Sequence, residues 1–273
     1  MPYVGALQAE GLDRKIETMR AIIIGAGRGV RLMPTTSDTP KCFAEVDGRS
    51  ILEWSLDAFR TNGIDDICFI GGYRIEKVQE RHPELTFRHN DNWQNNNILA
   101  SLFYAEDLMD EPFICCYSDV LFSSRVVDSL LANTSDIALV VDTRWGDRYE
   151  HRIQHPPTDA EKVTALSGDV TRIHRNIETQ DAYGEYIGVA QFSANGASRL
   201  KHHYHRCREL YAGKRFREAK LFEKAYKIHL FQEMIEAGER MAHVDTAGEY
   251  IEIDTQEDFE YACNHWTTKH LGL

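Results

Sequence analysis

In the stretch IIIGAGRGVRLMPTTSDTPK, Ile22–Lys41, alternating glycines (Gly25, Gly27, Gly29) are set among the fixed cations Arg28, Arg31 and Lys41. Glycines at such a turn leave backbone N–H groups uncovered, so that phosphate oxygens can meet them without side chains in the way. Cations beside that turn point to a polyphosphate. The formal net charge of the chain is -12, so its general field repels anions and any phosphate has to be held locally. Two carboxylates supply the complementary chemistry: Asp119 ends the apolar run PFICCYSD and Asp254 ends YIEID. If both runs are strands, their acids face the crevice at the carboxyl ends. There they can hold Mg²⁺ by a few direct ligands while phosphate oxygens and water complete the octahedron. Either aspartate could equally just open a turn.

Two familiar glycine motifs fit poorly. A dinucleotide fold wants G-x-G-x-x-G opening into a helix, but Val30 stands where the third glycine belongs, and Pro34 and Pro40 interrupt any helix. A P-loop wants a glycine before the lysine and Ser or Thr after it, and Lys41 has neither. An ordinary strand-to-loop turn stays open, though it does not explain why Arg31 and Lys41 flank the glycines. The longer string IIIGAGRGVRLMPTTSDTPKCFAEVDGRSILEW resembles the opening motif of the nucleoside-triphosphate transferases, the sugar-1-phosphate nucleotidyltransferases and their cytidylyltransferase relatives. CYSDVLF and YIEIDTQEDFEYA extend the resemblance over nearly the whole chain from Met19. It implies a Rossmann-like, GT-A-like α/β fold: a mixed, mostly parallel sheet flanked by helices. Gly25, Ala26, Gly27, Arg28 and Gly29 would wrap a triphosphate, and Arg31 and Lys41 would neutralise it, with Lys41 nearest the transferred group. Asp119 and Asp254 would hold Mg²⁺. Gly25 replaces a usual alanine, Val30 removes a frequent hydroxyl and Thr35 replaces a leucine; none of these changes removes a charge.

The run NDNWQNNNILASLFYAEDL narrows the expectation. Its N-I-x-x-S-L string (Asn97 to Leu102) is similar to the cytidylyltransferase branch acting on phosphocholine and 2-aminoethylphosphonate. Asn97 at a helix start and Ser101 one turn later share a face and can meet a pyrimidine edge, unless they are merely an N-cap and an amphipathic helix. Gly72 of GGY lines the base pocket in this reading. For the acceptor, Arg144 suits a phosphonate or phosphate dianion, as do Arg148, Arg152 and Arg175. Aromatic residues including Trp145, Tyr149 and Tyr186 suit a quaternary ammonium, and Glu185 suits a primary ammonium. The KHHYHR run lacks the acid or cysteine that would complete a zinc site. The expected activity is Mg²⁺-dependent transfer of CMP from CTP to a small phosphate- or phosphonate-bearing acceptor, with release of pyrophosphate. The alternatives are a sugar-1-phosphate nucleotidyltransferase using another NTP, and a non-catalytic nucleotide-sensing module.

These residues need a scaffold. Apolar runs ending in glycine or an acid alternate with amphipathic segments, the pattern of strands crossing over through helices. The predicted strands are 21–25, 66–71, 86–89, 113–118 and 137–142, with YIGVAQFS returning and YIEID last. DGRSILEWSLDAFRTNG reads as a helix opened by the capping box Ser50/Glu53 and stopped by Asn62-Gly63, and further helices are predicted over 98–109 and 125–132. Residues 145–188 read as a flap-like excursion over the mouth of the sheet, within a single domain of residues 19–273 that follows an N-terminal extension of residues 1–18. The 273 residues, 42% hydrophobic, suffice for one sizeable core. Six cysteines without a CxxC pair, mostly in apolar runs, read as reduced thiols of a cytoplasmic protein. No run approaches membrane-spanning length, nucleic acid is not an expected partner, and a homodimer is left as an open expectation.

Overall fold

The computed structural model describes residues 19–33, 35–150 and 152–267; the expected N-terminal extension lies outside them. The strands are β1 (Arg20–Gly25), β2 (Glu45–Val46), β3 (Arg49–Ser50), β4 (Ile67–Gly71), β5 (Thr86–His89), β6 (Phe113–Tyr117), β7 (Val120–Phe122), β8 (Ile137–Asp142), β9 (Lys162–Leu166), β10 (Asp169–Ile173), β11 (Gly184–Phe192), β12 (Ala242–Thr246) and β13 (Tyr250–Glu252). The helices are α1 (Ile51–Thr61), α2 (Ile75–Arg81), α3 (Ile98–Leu102), α4 (Ser124–Leu131), α5 (Trp145–Tyr149), α6 (Ala194–Tyr211), α7 (Lys227–Glu236) and α8 (Gln256–His265).

Nine strands form one sheet in the order β5-β4-β1-β6-β11-β8-β12-β10-β9. The mostly parallel expectation holds for β5-β4-β1-β6 and for β8-β12, while β11 runs antiparallel between β6 and β8, and β10 runs antiparallel to both its neighbours. β12 was not foreseen, because AHVDT is short and alternates with polar residues. Successive residues of β1 point to opposite faces: Ile22 and Ile24 enter one buried cluster, Ala21 and Ile23 the other. The capping box of α1 forms as predicted, with Glu53 N donating to Ser50 Oγ at 3.2 Å and Ser50 N to Glu53 Oε2 at 2.7 Å. Leu52, Leu56 and Phe59 of that helix are buried. The predicted helix over 98–109 is α only through Leu102 and then tightens into a 3₁₀ segment, Phe103–Leu108.

YIEID departs further from expectation. β13 does not join the main sheet; it pairs antiparallel with β7, Glu252 opposite Val120. A third apolar cluster, including Leu32, Ile51, Leu121, Ile253 and Trp266, packs this ribbon against α8 and the segment after the glycine loop. The excursion contributes β9 and β10 to the sheet edge. Among the described residues, no helix is long and apolar enough to cross a membrane.

Candidate active site

β1 delivers the glycine loop to the carboxyl end of the sheet, where a cavity of about 790 Å³ opens. Gly29 has φ +68°, and a Cβ there would lie 2.9 Å from Lys41 Cβ. Glycine takes this left-handed turn without strain and, having no Cβ, lets Lys41 pass so close. Thr36 Oγ1 closes the loop by donating to Gly29 O at 2.9 Å, and Lys41 follows Pro40 in a short 3₁₀ turn. Gly25, Ala26, Gly27, Arg28, Gly29, Arg31 and Lys41 all line the cavity, as do Asp119, Asp254, Asn97, Ser101, Glu185 and Tyr186.

The two aspartates converge although 135 residues separate them in sequence (254 − 119). Asp119 sits in the turn between β6 and β7, and its carbonyl accepts from Ile253 N at 2.9 Å, so the ribbon sets Asp254 beside it. Lys41 Nζ donates to Asp119 Oδ2 at 2.7 Å and to Asp254 Oδ1, while Arg31 Nη2 donates to Asp254 Oδ2 at 2.6 Å. Burial alone would depress the Lys41 ammonium, but the two carboxylates override it and hold its pKa above its usual range. Against the opposing effect of burial, Lys41 and Arg31 hold Asp254 below the usual carboxylate range.

Asp258, one helical turn beyond Asp254, does not line the cavity. It is N3 of the α8 capping box, accepts from Asp254 N at 3.0 Å and Thr255 N at 2.9 Å, and pairs with Arg152 at 2.6 Å. It therefore fixes the backbone that carries Asp254. Glu252, inside the quoted YIEID, was overlooked. Its side chain lines the cavity, and burial, reinforced by Asp254 and Asp119, pushes its carboxyl well above the usual range. His155, Glu252 and Asp254 bring donor atoms within 4.8 Å of one another, a grouping that only the tertiary fold creates.

On another wall, Ser101 Oγ accepts from Asn90 Nδ2 at 2.8 Å and donates to Asn97 O at 3.0 Å, while Asn90 and Asn96 exchange side-chain hydrogen bonds at 2.9 Å. Asn97 Oδ1 caps its own helix, accepting from Ile98 N. Asn90 and Asn96 were not singled out, although both stand in the asparagine-rich run.

Six expected contacts need correction. Arg148, Arg152 and Tyr149 do not line the cavity: Arg148 pairs with Asp142 and Glu185, Arg152 pairs with Asp258, and Tyr149 Oη donates to Glu185. Arg144 does not line the cavity; its guanidinium is largely exposed and pairs with Asp147. Trp145 packs into a small cluster with Tyr149 and Ala160, away from the cavity lining. Gly72 stands behind Trp93, where a Cβ would lie 2.8 Å from that side chain, so Trp93 and not Gly72 reaches the cavity. Glu185 does reach it, but its carboxylate is already engaged by Arg148 at 2.6 Å and Tyr149 Oη at 2.7 Å. The excursion instead contributes Glu161 and Arg175, with Arg175 Nη2 donating to Glu161 Oε1 at 3.3 Å.

Comparison with known proteins identifies the family. Residues 21–183 match the MobA-like NTP transferase domain family. The chain is 28% identical over 252 residues to the CTP:phosphoglutamine cytidylyltransferase of Campylobacter jejuni, covering 89% of this chain and 98% of that one. It is 27% identical over 194 residues to the 2-aminoethylphosphonate cytidylyltransferase of Lancefieldella rimae, covering 69% and 73%. A crystal structure described as a glucose-1-phosphate thymidylyltransferase from Bacillus anthracis superposes with a TM-score of 0.70 at 15% identity, covering 90% of this chain and 94% of that one, which speaks for the fold alone. A glycine loop, a lysine and two converging aspartates on a Rossmann-like sheet thus coincide with a match over more than half the chain: the protein belongs to the MobA-like NTP transferase domain family and is a nucleotidyltransferase.

Proposed function

We propose that the protein transfers CMP from CTP to a small acceptor bearing a phosphate or phosphonate, releasing pyrophosphate. The observation that carries this reading is Lys41 Nζ held between Asp119 and Asp254 beside the glycine loop. In the hypothesis, loop N–H groups with Arg28 and Arg31 bind the β- and γ-phosphates. Lys41 neutralises the charge developing at the α-phosphate, and an acceptor oxygen attacks the α-phosphorus in line with the departing pyrophosphate. The nucleophile is already an anion, so no general base is required; positioning and charge neutralisation carry the rate. Asn96, Ser101 and Asn97, which line the cavity with Asn90 buried behind them, are assigned to the pyrimidine edge, whose donor and acceptor groups an amide–hydroxyl network matches.

The donor set suits a hard divalent cation, since Asp119, Asp254 and Glu252 offer carboxylate oxygens. Burial first, and then Asp254 and Asp119, raise the Glu252 carboxyl, and such a cation would relieve that crowding. These residues would hold Mg²⁺, which when bound would supply charge neutralisation at the triphosphate. The cytidylyltransferase relatives favour CTP as donor. Incubating the protein with each NTP and a panel of acceptors while measuring pyrophosphate tests the reading: CTP-specific release, lost in Asp119→Ala with the fold retained, is expected. Preference for UTP or dTTP with a hexose 1-phosphate would replace it with the sugar-nucleotide reading.

A further inference from the structure

The acceptor end of the cavity is more specific than its phosphate chemistry requires. Three tyrosines line it, Tyr117, Tyr186 and Tyr226, and aromatic rings of this kind ordinarily invite a quaternary ammonium. Here the chain's own cations already engage them. Lys227, fully buried, places Nζ 4.1 Å from the Tyr117 centroid and 5.5 Å from that of Tyr186, and donates to Gly188 O at 3.0 Å. Arg175 lies over Tyr226 with Cζ 4.2 Å from the ring centroid. Another permanent cation brought against this wall would meet like charge in a poorly solvated space.

The same wall has unspent capacity for an anion and a protonated amine. Arg175 is one-third exposed, makes a single side-chain hydrogen bond among the described residues, and leaves its buried Nε without a partner. A guanidinium fork in this condition fits a carboxylate. Glu161, which is buried, accepts two long side-chain contacts among the described residues, from Arg175 Nη2 at 3.3 Å and from Tyr117 Oη at 3.3 Å. The Tyr186 hydroxyl, buried in the same wall, has no hydrogen-bond partner among the described residues. Glu185 cannot balance the excess of cations here, because Arg148 and Tyr149 already engage it.

We infer that the acceptor carries an amino-acid-like end, its carboxylate read by Arg175 and its ammonium by Glu161, and that choline-type headgroups are refused. This inference rests on the cytidylyl-transfer reading of the same cavity. In the step itself, an oxygen of the acceptor's phosphate or phosphonate bonds to the α-phosphorus as the α–β bridging P–O bond breaks. The bonding pair leaves with pyrophosphate, and the amino-acid end is unchanged.

The test uses the full chain with CTP and Mg²⁺ and matched acceptors: O-phosphoserine and 2-amino-4-phosphonobutyrate, their decarboxylated counterparts phosphoethanolamine and 3-aminopropylphosphonate, and phosphocholine. Pyrophosphate release gives kcat/KM, and calorimetry on the protein saturated with a non-hydrolysable CTP analogue gives affinity separately. An amino-acid acceptor should exceed its decarboxylated counterpart by roughly 10- to 100-fold, the scale of one charge-assisted contact. Arg175→Gln should erase that preference, bringing each amino-acid acceptor down to its decarboxylated counterpart, and Glu161→Gln should weaken every amine-bearing acceptor. Phosphocholine matching the best amino acid, or Arg175→Gln depressing all acceptors alike as a phosphate-binding arginine would, overturns the inference and leaves cytidylyl transfer standing. Preferential binding of the amino-acid probes without any turnover supports the inference and overturns the catalytic reading; binding of none of them overturns both.

Discussion

Replacing Lys41 with Met should separate its two roles. The ammonium is about nine-tenths buried and touches two carboxylates, with Glu252 close behind. Removing one member of a buried charged set costs about 3–5 kcal/mol, because the partners stay behind uncompensated. In a chain of this size that corresponds to a fall in Tm of roughly 6–20 °C. The loss should depend on pH. In the native protein Asp254 is held below its usual range, so its contribution is present above about pH 4 and is lost as pH falls below that. In Lys41→Met the abandoned carboxylates bind protons more tightly folded than unfolded, so their penalty is small near pH 4 and grows as pH rises toward 8. The ammonium of Lys41 itself titrates above this window and adds no slope of its own. Urea unfolding at pH 5 and pH 8 reads the stability, and pyrophosphate release reads catalysis, which should fall by about 10²–10³ in kcat as for a lost transition-state contact. A deficit equal at both pH values would refute the electrostatic account, and turnover within tenfold of the native protein would remove Lys41 from the reacting phosphate.

Four other substitutions probe the site and the fold behind it. Gly29→Ala should lose about 1–2 kcal/mol through its positive φ, and also displace Lys41, whereas Gly27→Ala, with nothing within 4 Å of the added Cβ, should keep native stability in denaturant titrations. Ser101→Ala leaves buried Asn90 short of an acceptor and should raise KM for CTP about tenfold, near 1.4 kcal/mol, with kcat nearly unchanged; an unaltered KM would move the base elsewhere. Burial pushes His229 down to about 4, so the unfolded chain takes up a proton below pH 6.5 that the native ring refuses. Stability should drop by about 2 kcal/mol between pH 7.5 and 5, and His229→Gln should flatten that slope in pH-resolved melting curves.

The sequence by itself determined the local pieces. Ile22 to Ile24 form a strand because apolar residues run unbroken into glycine, Ser50 and Glu53 cap α1 because at a spacing of three each side chain meets the other's backbone N–H within one turn, and Gly29 marks a left-handed turn. The charge on Arg31, Lys41, Asp119 and Asp254 was legible as well, since a polyphosphate site needs fixed charge beside bare backbone. What touches what was decided in three dimensions. Asp254 meets Lys41 through a ribbon with β7, where the sequence had suggested another parallel strand. Arg144 turned to Asp147 and Trp145 into a small side cluster, because a flap of mixed charges and rings carries no periodic pattern to say which face is inward. Asn90, Glu161 and Lys227 gave no signal for the same reason: a polar residue lines or backs a site only when elements distant in sequence bury it beside its partners, and that pairing is a long-range property of packing, absent from any short window of the chain.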